Sequence, residues 1–197
     1  MYGIIRLIIF LIIFLIGFFI IKRSHIKNKK LILMLLLVLC MILCSLSFLI
    51  PFENSVKTFD SPEEAYNYKN NGEIIDVIYG EHSCLIIGTE TFDFILKTDN
   101  GYQISKLSDY KKVTDILEGD RHATVYNIVN SSDYYLLAGA TITEDSCIVS
   151  DDGNSNFKIH ITNIEDTEYY IVEFYGYIEK YTNDYSVSIN DEVFPVH

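Results

Sequence analysis

Residues 169–178 read YYIVEFYGYI, a stretch whose large side chains recur with a period of two. Successive side chains of a strand point to opposite faces, so Tyr170, Val172, Phe174, Gly176 and Ile178 share one side. Tyr169, Ile171, Glu173, Tyr175 and Tyr177 share the other. The first set is apolar and predicts a core-facing side. The second mixes rings with a carboxylate and predicts an outward, tyrosine-rich face. Tyr169, Tyr175 and Tyr177 are candidates there for contacting a sugar or a protein partner, because Tyr offers a large rigid area at low entropic cost. Packing within a β-sheet uses Tyr equally well and is the competing reading.

The same period runs outward from this stretch. Residues 73–79, 83–88, 92–98 and 102–106 are short β-branched or aromatic runs separated by turn residues. Asn100-Gly101 is a strong hairpin signal because both residues tolerate positive φ. These runs predict a four-stranded antiparallel meander. Ahead of it, Ser61-Pro62-Glu63-Glu64 forms a capping-box pattern that opens a short helix, closed by Asn70-Asn71-Gly72. Residues 51–60 read as a linker, and 61–118 as helix plus meander. The alternation is lost over 107–121, which places a boundary at Gly119-Asp120-Arg121. Further strands follow at 123–130, 134–142, 146–150, 157–162, 169–179 and 185–189, with another near Val193. So many short strands predict a small β-sandwich over 119–197. One larger sheet spanning both halves is the alternative.

The first fifty residues are of a different kind. They contain no Asp or Glu, while all 27 acidic residues lie beyond them together with nine of the 15 basic ones. Residues 4–21 and 31–50 are apolar runs about long enough to cross a bilayer as helices, at about 1.5 Å rise per residue against about 30 Å of hydrocarbon. Arg6 lies close enough to one end to snorkel. The loop 22–30 carries Lys22, Arg23, Lys27, Lys29 and Lys30, against Arg6 alone on the amino-terminal flank. Basic loops stay in the cytoplasm, so a transmembrane hairpin over residues 1–50 would leave the large carboxy-terminal region outside the cell. A signal peptide is the competing reading of Lys27 to Leu43, with Ser45-Leu46-Ser47 at a cleavage-like spacing. Cys40 and Cys44 are each preceded by Leu, where a lipidation motif needs a small residue, and read as helix packing.

Two short resemblances add to this. Phe59-Asp-Ser-Pro-Glu-Glu-Ala65, with the hairpin over 72–87, resembles the opening of uncharacterised small membrane-anchored envelope proteins of Gram-positive bacteria, which bring no known activity. Tyr185-Ser-Val-Ser-Ile-Asn190 is similar to the final strand of bacterial immunoglobulin-like domains. That second resemblance implies an immunoglobulin-like sandwich serving as a binding or spacer module.

Chemistry-bearing residues are sparse. Cys84 and Cys147 allow one internal disulfide in an oxidising exterior, or two buried thiols. Asp151-Asp152-Gly153-Asn154-Ser155-Asn156 offers oxygen ligands but departs from a calcium loop, with Phe157 at the glycine position and Asn163 where a bidentate Glu belongs; it reads as a turn. His82, His122 and His160 lack metal-ligand or catalytic spacing, and no nucleotide or hydrolase fingerprint is present. No catalytic residue, metal or cofactor is assigned. The acidic balance disfavours nucleic acid, whose binding rests on Lys and Arg. The expectation is a membrane-tethered extracytoplasmic β-domain that binds, senses or acts as an accessory of the cell envelope. Its partners would be the lipid bilayer and an envelope protein or polysaccharide. A wall-active enzyme and a ligand-free spacer are the alternatives.

Overall fold

The computed structural model describes residues 2–25, 27–47, 51–151 and 156–196. Its amino-terminal part is a pair of helices, α1 (Tyr2–Arg23) and α2 (Lys29–Ser47), packed side by side. Gly17 permits the approach: a β-carbon there would lie 2.6 Å from Leu36 Cδ2. Among the described residues, α2 alone is long and apolar enough to cross a membrane. Of the two spanning helices expected, α2 has the length and apolarity to cross and α1 falls short of that measure; residues 48–50 of the second expected span lie outside the described residues.

The expected linker is docked instead. A 3-10 turn (Phe52–Ser55) follows α2, and the fully buried Arg6 of α1 donates to Glu53 at 2.6 Å while lying over the Phe52 ring. The Asn54 side chain donates to the Ile104 carbonyl at 2.8 Å and accepts from the Ile104 amide at 3.2 Å. Phe59 is buried and exchanges two backbone hydrogen bonds with Tyr102. Backbone groups that a free segment would leave to water are here paired with the domain.

Helix α3 (Pro62–Lys69) starts as the capping pattern predicts: Ser61 accepts from the Glu64 amide at 3.1 Å. Glu64 reaches back to the Asp60 amide rather than to Ser61. Then come β1 (Ile74–Tyr79), β2 (Ser83–Gly88), β3 (Phe92–Thr98) and β4 (Gly101–Ile104), an antiparallel meander in sequence order. The second sheet has the order β5-β6-β7-β10-β9, from β5 (Tyr110–Glu118), β6 (Arg121–Ile128), β7 (Tyr134–Ile142), β10 (Tyr170–Ile178) and β9 (Lys158–Asn163). The third sheet is β12-β11-β8, from β8 (Val149–Asp151), β11 (Ser186–Ile189) and β12 (Glu192–Pro195).

Three apolar cores stack these elements into four layers. Ala65 and Tyr66 of α3 pack with Ile86, Ile95 and Ile104 on one face of the first sheet. Its other face, Ile78, Leu85, Ile87 and Phe94, meets Ile128 and Tyr135 of the second sheet. The far face of the second sheet, including Val125, Leu136, Val172 and Phe174, packs on Val187, Ile189 and Phe194 of the third. The even-numbered side of residues 170–178 is therefore a core, as its sequence predicts.

Two expectations are corrected. Residues 110–118 form a strand, so the boundary placed at 119–121 falls in the β5–β6 turn, where Gly119 has φ +63°. The pattern is hidden by a bulge between Lys112 and Thr114. Before it Tyr110 faces the first sheet, and after it Ile116 faces the third, so no single alternation spans the strand. Second, the tyrosine-rich odd-numbered face is an outward surface only in part, at Tyr169, Ile171 and Glu173. Tyr175 and Tyr177 are half-buried against the first sheet, whose apolar underside requires that cover; Tyr169 alone of the three tyrosines is exposed, at 45%.

The first two sheets are joined at one corner by Asp133. This fully buried carboxylate accepts from the Glu81 and His82 amides at 3.2 and 2.9 Å and from the Ser83 hydroxyl at 2.5 Å. Ser83 Oγ lies 2.8 Å from the Tyr135 hydroxyl. Gly80 leaves the room for this arrangement, since a β-carbon there would fall 2.7 Å from Asp133 Oδ2. Replacing Asp133 takes the acceptor from three donors at once, the buried Ser83 hydroxyl among them. We expect Asp133→Ala to lower unfolding free energy by about 3 kcal/mol, measured by urea denaturation of the full chain in detergent. A loss below about 0.5 kcal/mol would mean that water takes over the three donors.

Candidate functional site

Away from the Asp133 corner the two sheets part, and a cleft of about 390 Å³ opens beside the β2–β3 turn. Its floor is the face of the second sheet that looks toward the first. The register across β6, β7, β10 and β9 sets His122 opposite Gly139, Gly139 opposite Glu173, and Glu173 opposite His160. Directly opposed residues point the same way, so both imidazoles and the carboxylate project from one transverse row. Gly139 is the gap in that row. A β-carbon on it would come 2.4 Å from His122 Cε1 and 3.0 Å from Nε2, so the ring lies over the glycine toward β10.

The next row, Thr124, Leu137 and Tyr175, forms the cleft floor with Tyr126. Ile75, Ile87 and Phe92 form the facing wall, and Glu90 stands on the rim. A bulge between Ile74 and Asp76 turns β1 so that Ile74 packs under α3 while Ile75 lines the cleft. Asp76 then reaches His160, and their contact ties the outer strand of the second sheet to the first.

The electrostatics are one-sided. Glu90, Glu173 and His122 line the cleft, and no Lys or Arg does so among the described residues. Burial, the charge of Glu173 with a hydrogen bond to it, and the charge of Asp76 push the Tyr175 phenol up to about 12. Burial also raises Tyr126, with Lys112 opposing and Asp115 adding to the shift. Among the described residues no three His, Cys, Asp or Glu side chains are grouped to hold a metal ion. Asp152 to Ser155 of the loop weighed for calcium lie outside those residues.

Of the residues singled out from sequence, Tyr175 belongs to the cleft, Tyr177 lies outside it against the Tyr135 ring, and Tyr169 stands apart in a separate depression with Thr141 and Asn190. Cys84 and Cys147 are both unbridged. Cys84 shares the α3-facing side of β2 with Ile86, whereas Cys147 packs at the margin of the core between the second and third sheets. Two sheets separate the thiols, which rules out the disulfide in this fold. Lys22, Arg23, Lys27, Lys29 and Lys30 all gather at the α1–α2 connection, where the Lys29 ammonium donates to the Lys22 carbonyl at 2.9 Å.

Glu173, His122 and His160 were not selected from sequence as a group, because their juxtaposition follows from the strand order β6-β7-β10-β9. Only the His160–Glu173 half could be inferred locally, from the β9–β10 hairpin. No protein-family model, curated protein or solved structure matches the chain.

Burial pushes the Cys84 thiol from its ordinary 9.0 up to about 12, with the charge of Glu63 adding and Lys97 opposing. The folded chain thus holds this proton more tightly than the unfolded chain. Its contribution to stability is complete below pH 9.0 and is lost as pH rises toward about 12. Urea midpoints measured across that window should fall with pH, and less steeply for Cys84→Ala. At neutral pH in a Cys40→Ala, Cys44→Ala background, maleimide should modify Cys147 first and Cys84 only after denaturation. Equal labelling of both thiols in the folded chain contradicts the burial.

Proposed function

We propose that this chain is a membrane-tethered, extracytoplasmic β-domain protein that acts by binding, with the inter-sheet cleft as its ligand-contact site. The observation that carries the tether is the surface of the helix pair. Large apolar side chains are exposed over both helices, among them Leu7, Phe19, Ile20, Leu31 and Met34 at 56–65%. Water does not tolerate a patch of that size, whereas lipid covers it at no cost in hydrogen bonds, since helices satisfy their own backbone. In this reading α1 crosses alongside α2. Arg6 sits at the outer interface against Glu53, and the Lys22 to Lys30 connection lies in the cytoplasm. The acidic β-layers then face the exterior, where an envelope protein or polysaccharide is within reach.

The cleft supports the binding half of the proposal. It is concave, and aromatic and aliphatic side chains share its lining with Thr, Glu and His groups, so a small ligand would find both apolar surface and polar contacts there. A second reading, hydrolysis of a wall polymer, draws on His122 and Glu173 sharing the cleft, where one could take and the other give a proton.

Alkaline carbonate should leave the full chain in the membrane pellet. A reporter fused to the carboxy-terminus should be active only outside the cytoplasm, and protease added to intact cells should digest the β-region. Recovery of the chain in the soluble fraction, or a protected β-region, contradicts the tether and its orientation.

A further inference from the structure

We propose that the cleft takes an organic cation, an ammonium group carried on a short apolar chain. This rests on the reading of the cleft as a binding site and names what would fill it. The argument begins with hydrogen-bond capacity. The Thr91 hydroxyl already donates to the Phe92 carbonyl, at 3.1 Å, and the Thr124 hydroxyl to Asp115, at 2.8 Å. The Tyr175 phenol is engaged with Glu173. The lining has thus used these three donors internally, and the Glu90 and Glu173 carboxylates add acceptors to it. An ammonium is the complement of such a surface, having three donors and no acceptor.

Charge points the same way. Among the described residues no Lys or Arg forms an ion pair with Glu90 or Glu173, whereas Asp76 is paired with His160 and Asp115 with Lys112. Two carboxylates with no Lys or Arg partner among the described residues line one concave space, with the His122 ring beside them. The rings of Phe92, Tyr126 and Tyr175 line the same space, and an aromatic face attracts a cation within about 6 Å of its centroid. Ile75, Ile87 and Leu137 offer the apolar surface along which a short chain would lie. A neutral sugar is served less well, because its hydroxyls need donors as well as acceptors from the wall.

The chemistry is shared by a free amine and by a lysine side chain of a polypeptide, and the test separates them. The full chain in neutral polyoxyethylene-detergent micelles is titrated with n-pentylammonium, with Nα-acetyl-lysine amide, with n-pentanol and with N-acetylglucosamine. Binding is read by calorimetry and located by the ring signals of 13C-labelled Tyr126 and Tyr175. Either ammonium probe should shift both signals saturably, weaken as ionic strength rises, and lose about fivefold in affinity in Glu90→Gln and in Glu173→Gln, two exposed sites that leave the fold intact. Tighter binding of the lysine derivative assigns a polypeptide source, and tighter or equal binding of n-pentylammonium a free amine. Unchanged affinity in both Gln variants, or n-pentanol binding as tightly as n-pentylammonium, overturns the proposal. If N-acetylglucosamine alone shifts the two signals, the cleft remains a binding site and the cationic ligand is wrong. If no probe shifts them, the binding reading of the cleft falls as well.

Discussion

The buried carboxylate of Asp133 gathers the β1–β2 turn onto the β6–β7 turn, and the position of the first sheet on the second follows from it. A sheet-on-sheet contact made of Ile78, Leu85, Phe94, Ile128 and Tyr135 is apolar and tolerates sliding. Three directed hydrogen bonds to one carboxylate do not. They fix the corner, the Asp76–His160 pair fixes the flank, and the remaining side is where the sheets separate. The cleft is therefore a product of how the layers are fastened, and its wall and floor come from different sheets. A ligand lodged there would touch β1, β2 and β3 of the first sheet together with β6, β7 and β10 of the second.

Much of the fold is legible in the sequence because alternation is a direct readout of burial. Strands β1 to β4, the capped helix α3 and the core side of residues 170–178 all follow from side-chain period and turn residues. The misreadings have physical causes. A bulge shifts the phase of β5 in mid-strand, so a real strand shows no sustained period. The Tyr175 and Tyr177 side looks outward in sequence because Tyr and Glu sit comfortably at a wet surface. The same rings also fill the seam between two sheets, and sequence alone does not say whether a second layer covers them. Residues 51–60 carry too few apolar side chains to announce a packed segment, yet Phe59 and Asn54 dock it through backbone pairing that leaves no compositional trace.

The candidate site was the least legible part. Local sequence shows His122, Glu173 and His160 as isolated residues in three strands. Their common row exists only because β10 inserts between β7 and β9 in the second sheet. The glycine between them is equally mute in sequence, although its missing side chain is what lets the His122 ring extend over the floor. Charge bias is plain in the sequence; what the fold adds is a concave place where two of the many carboxylates have no Lys or Arg partner among the described residues and stand beside aromatic rings.

The docked segment after α2 has a mechanical consequence. Arg6, Phe52, Asn54 and Phe59 join the base of the helix pair to β4 through an ion pair, a ring contact and four hydrogen bonds, within about a dozen residues of chain. Such a joint has little slack. A pull or twist applied to the β-layers is handed to the helices as torque rather than absorbed by a swivel, so the two halves tilt as one lever.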